Sequence, residues 1–167
     1  MQRVTGDIAV APPICLSRLL LYVLGTVAGF LSATPRGGAE EVKVTVVVIL
    51  ATDRDTLVAR ELQSIAQEVQ KKYPNLTGFR LEEITRKSLT VGKKEKFELV
   101  DDEVATVLVR HAADSKNRVG LTVKPPLQGE IQYTTCCGKF LPIVTRYQTK
   151  YDKERLIIAL RVQPCKK

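Results

Sequence analysis

Apolar residues fall into three regimes along the chain. Leu19 to Ala33 carries no charge at all, Val42 to Leu50 is dense in β-branched residues, and from Val104 onward apolar and polar side chains alternate. Each regime predicts a different element.

The first predicts an export segment. Arg3 and Arg18 precede the uncharged run, Pro35 follows it, and Gly37-Gly38-Ala39 offers small residues for cleavage. A secretory signal has that order of positive flank, short apolar core and small-residue site. A membrane-spanning helix needs about 20 apolar residues, and this run is shorter. Residues 1–39 are therefore expected to be a signal peptide, with an uncleaved anchor over residues 19–33 as the alternative. The protein is expected to be exported, periplasmic or extracellular, and to touch a membrane only through an uncleaved N-terminal segment.

The second regime opens the mature domain, residues 40–167. From Val46 the run is apolar on both parities, which suits a strand covered on both faces. Asp53 can N-cap a helix over residues 54–72, where Val58, Leu62, Ile65 and Val69 recur at helical spacing. Lys71 and Lys72 match the negative helix end, and Pro74-Asn75 ends the element.

The third regime predicts strands. Residues 97–100 and 104–111 form a hairpin closed at Asp101-Asp102-Glu103, a turn because Asp bonds its own backbone there. Val119, Leu121 and Val123 alternate until Pro125-Pro126 breaks the ladder, and Ile131 and Tyr133 resume it. Residues 141–150 and 155–163 form a last hairpin turning at Tyr151–Glu154. The fold class is α+β: strand–helix, then a mainly antiparallel sheet or small sandwich of five or six strands with one helix packed on it.

Charge adds a constraint on partners. The chain carries +8, and most of it stays with the domain. Its basic residues are dispersed, with short clusters at Lys71-Lys72, Lys93-Lys94-Lys96 and Lys166-Lys167. Specific nucleic-acid binding, which asks for a basic stripe with stacking aromatics, is not indicated. Weak binding to an anionic polymer or lipid surface stays open.

Candidate chemistry centres on cysteine. Cys136, Cys137 and Cys165 remain after the export segment, and an oxidising compartment favours a disulfide. With Lys150 opposite Arg155, Cys165 falls opposite Phe140, close enough to Cys137 for a bridge. Cys136 and Cys137 with His111, the only histidine, form the alternative, a thiol-based redox or cysteine-dependent enzyme. No metal motif, phosphate loop or nucleophile elbow is present, so no metal or cofactor is implied. The leading expectation is a non-enzymatic exported domain with a binding or structural role, whose partners are envelope or extracellular proteins.

Overall fold

A computed structural model describes residues 40–164. Its elements are β1 (Glu41–Thr52), a 3-10 turn (Arg60–Leu62), α1 (Gln63–Gln70), β2 (Gly78–Thr90), β3 (Lys94–Glu98), β4 (Val104–His111), β5 (Arg118–Lys124), β6 (Ile131–Cys136), β7 (Phe140–Gln148) and β8 (Arg155–Pro164). They form two antiparallel four-stranded sheets, ordered β2-β1-β8-β7 and β3-β4-β5-β6. The domain is mostly β with one short helix. Eight strands in two sheets replace the expected five or six.

β1 is covered on both faces, as its sequence requires. Val42, Val44, Val46, Val48 and Leu50 join Leu156, Ile158, Leu160 and Val162 of β8 against Phe97, Val107, Val109, Leu121 and Val123 of the other sheet. Val47, Ile49 and Ala51, with Ile157 and Ala159, pack on the opposite side under Leu62, Ile65, Ala66 and Val69. Burying each such Val, Leu or Ile side chain is worth roughly 1.5–3 kcal/mol.

The helix is shorter than expected, and Asp53 does not cap it. Thr52 Oγ1 accepts from Arg54 N at 3.2 Å and Asp55 Oδ1 from Leu57 N at 3.0 Å. Such local side-chain bonds compete with helix initiation. Val58 then forms a parallel bridge with Phe79 instead of joining the helix. A Cβ at Gly78 would lie 2.0 Å from Asp55 Oδ1 and would displace that carboxylate.

The last hairpin slips by four residues from its expected register. Gln148 faces Arg155 across a longer turn, and a bulge between Val144 and Gln148 then sets Phe140 opposite Arg161. Turn and bulge contribute half the slip each. Buried Thr145 sustains the bulge, its hydroxyl donating to Leu156 O at 2.8 Å and accepting from Tyr147 N at 3.1 Å.

The Asp101 turn does more than close a hairpin. Its left-handed backbone (φ 55°) presents a carboxylate that accepts from Tyr147 Oη at 2.7 Å and Lys150 N at 3.1 Å. One carboxylate thus ties the second sheet to β7. Those bonds hold Asp101 below the usual carboxylate range. Burial, then the Asp101 bond, pushes Tyr147 up to about 12.

Two predictions follow from this packing. Leu160→Ala should cost about 2–5 kcal/mol in denaturant unfolding, whereas Leu57→Ala, at a side chain 78% exposed, should stay within about 0.5 kcal/mol. For Asp101, a depressed folded pKa gives stability that is present above the ordinary carboxylate pKa and lost as pH falls through the folded value. Tyr147→Phe should therefore be less stable than the parent at neutral pH, the gap closing in acid. A gap that stays constant across the pH series would remove the bond from the account.

Candidate functional site

The residues singled out as chemically capable are not brought together. Cys136 ends β6 and is exposed, and Cys137 is half-buried in the turn that follows; both thiols are free among the described residues. Burial, foremost, pushes the Cys137 thiol up. His111 lies at the end of β4, its Nδ1 2.9 Å from Ala112 O. Its ring covers Gly120, where a Cβ would lie 2.3 Å from Nε2. Register sets His111 opposite Gly120 of β5, and Cys136 beside Arg118 on the far side of that strand. Histidine and thiol are thus separated by an intervening strand and an offset along it.

Cys165 lies outside the described residues. Its expected place opposite Phe140 is corrected by the register, which gives that position to Arg161. Gly138 N, just after the vicinal cysteines, does donate to Val162 O at 2.8 Å. The export segment, residues 1–39, also falls outside the described residues. Among those described, no helix is long and apolar enough to cross a membrane, and no His, Cys, Asp and Glu cluster could hold a metal ion.

A different site emerges at the β5–β6 connection. Lys124 to Ile131, with Lys96 of β3, Val104 and Thr106 of β4 and Arg146 of β7, line a cleft of about 790 Å³. Lys96 pairs with Thr106, and Thr106 with Lys124. Phe97, Ala105 and Val123 point into the core, so their neighbours Lys96, Thr106 and Lys124 form a row on the outer face. Two strand spacings put the lysine backbones about 10 Å apart. Arg146 is exposed between buried Thr145 and Tyr147, as strand alternation requires, and it reaches the same cleft.

The connection is built stiffly. Pro125 and Pro126 are buried and fix their own φ angles. Leu127 follows with φ 54°, a conformation that costs a branched residue on the order of 1–3 kcal/mol, and its side chain is 70% exposed. Glu130 Oε1 accepts from Lys94 Nζ at 3.0 Å, so the cleft's carboxylate is already engaged. Lys96, Lys124 and Arg146 make no ion pair among the described residues, and Gln128 Oε1 is buried without a hydrogen-bond partner there. A buried unpaired oxygen costs about 1–3 kcal/mol.

Sequence reading missed this site because its cations come from three separate stretches. Lys124-Pro125-Pro126 was legible only as the end of a ladder. The one usable signal was Lys96 and Lys124 on the outward parity of strands whose other parity is apolar. Compared with known proteins, the chain matches no family model, no curated protein and no solved structure.

Proposed function

We propose that residues 40–167 are a non-enzymatic binding domain of an exported protein, which holds a partner in the cleft at the β5–β6 connection. The observation that carries this reading is the set of cations lining that cleft with no ion-pair partner among the described residues: Lys96, Lys124 and Arg146. Strained backbone of the kind Leu127 shows clusters at ligand sites. The long edge strand β2 is a poor second surface. It presents Glu83, Thr85 and Lys87 on the parity of Val48, Val46 and Val44, and inward-facing charge of this kind discourages strand addition.

The thiol-based alternative asks for a thiolate favoured at neutral pH, and Cys137 is shifted the opposite way. Export and a Cys165 disulfide belong to the same proposal, since an oxidising compartment is what makes the bridge the default.

Three outcomes are expected. p-Benzoylphenylalanine in place of Leu127, in the full chain made in its native cell, should photo-crosslink to a discrete partner; label recovered only on the protein itself would remove the cleft's role. Native Cys136 and Cys137 should alkylate at neutral pH no faster than an ordinary free cysteine, and rapid reaction would restore the thiol enzyme. Non-reducing peptide mapping of the exported protein should find a mature N-terminus near Glu40 and Cys165 joined to one of the vicinal cysteines. An intact N-terminus with three free thiols would overturn export.

A further inference from the structure

The geometry points to the class of partner this cleft takes: an extended acidic polypeptide segment that carries an apolar side chain among its carboxylates. The inference rests on the binding reading above and deepens it.

Charge comes first. Three cations line the cleft and its single carboxylate is held by Lys94, so an occupant bearing two or three negative charges would complete the site. Spacing comes next. Lys96 and Lys124 stand in line across three strands, about 10 Å apart at the backbone with long side chains able to converge. Alternate side chains of an extended peptide repeat at about 7 Å, within reach of both heads. Carboxylates at alternate positions would therefore engage the two lysines, and Arg146 offers a bidentate fork to a further one.

The remaining lining separates polypeptide from other polyanions. Val104, 38% exposed, and Leu127, 70% exposed, offer apolar contact that a uniformly charged chain would leave unused. The cleft lining holds no aromatic ring on which a sugar could stack.

The test uses the 15N-labelled full chain and three probes: a blocked peptide Glu-Leu-Glu-Ser-Glu, its analogue with every Glu replaced by Gln, and a heparin hexasaccharide. The acidic peptide should move the amide signals of Lys96, Thr106, Lys124 and Gln128. It should bind about tenfold more weakly at physiological than at low salt, as exposed charges are screened, and about tenfold more weakly to Lys124→Glu. Lys124→Gln, which adds no repulsion, should show a smaller loss in the same direction. Gly129→Trp serves as a steric block, since a Cβ at Gly129 meets nothing within 4 Å, and it should abolish the shifts. Equal binding of the Gln analogue would overturn the charge requirement while leaving the cleft as the site. Tighter binding of heparin in the cleft would overturn the polypeptide assignment. Shifts confined to residues outside the cleft would overturn the binding reading itself. Silence toward all three probes would overturn the ligand class, and the Leu127 crosslink then decides the cleft independently.

Discussion

The β1–β8 pair is apolar on both faces, and that constraint organises the rest of the structure. A strand reading Val-Val-Val-Ile-Leu cannot leave either parity in water, because each exposed branched side chain forfeits a kilocalorie or more. One face is met by the second sheet, through Phe97, Val107, Leu121 and Val123. The other is met by α1 and the chain around it, through Leu62, Ile65 and Val69. The two turns of α1, Gln63–Gln70, cover Val47, Ile49, Ile157 and Ala159.

Once both faces are covered, the outer face of the second sheet has no structural obligation, and its polar residues are free for other work. Lys96 and Lys124 sit there because the parity that builds the core on one side must present solvent-facing residues on the other. The same accounting explains Arg146. Thr145 completes its hydrogen bonds inside the bulge, Tyr147 turns inward to Asp101, and the arginine between them is left pointing out. A rigid frame with cations projected from three strands and a stiff Pro-Pro-Leu connection fits a surface that recognises charge at fixed spacing. Long edges are meanwhile blunted: Lys87 reaches across to Lys96 O at 2.7 Å and over the Phe97 ring.

Most of the framework was legible because period-two and two-faced patterns are local properties. Val42–Leu50, the alternation at Val119, Leu121 and Val123, and the hairpin at Asp101 form where pattern places them, and the last two strands pair as expected but in a shifted register. Three features were not local. The Asp53 helix start yielded to side-chain bonds at Thr52 and Asp55 and to a bridge between Val58 and the distant Phe79. The final register depended on a bulge held by Thr145 and Leu156. The cleft depended on lateral pairing of Lys96, Thr106 and Lys124, which no single stretch of sequence encodes. His111 and the vicinal cysteines drew notice as rare residue types, yet rarity is not proximity.

Residue-resolved native-state hydrogen exchange of the full chain tests the central claim most directly. If two-sided burial of β1 and β8 anchors the fold, amides from Val46 to Leu50 and from Leu156 to Leu160 should exchange only through global unfolding. Amides of Leu127 to Glu130 should open locally at far lower free energy. Local exchange in β1 while β4 and β5 stay protected would contradict the account, placing the organising core in the other sheet.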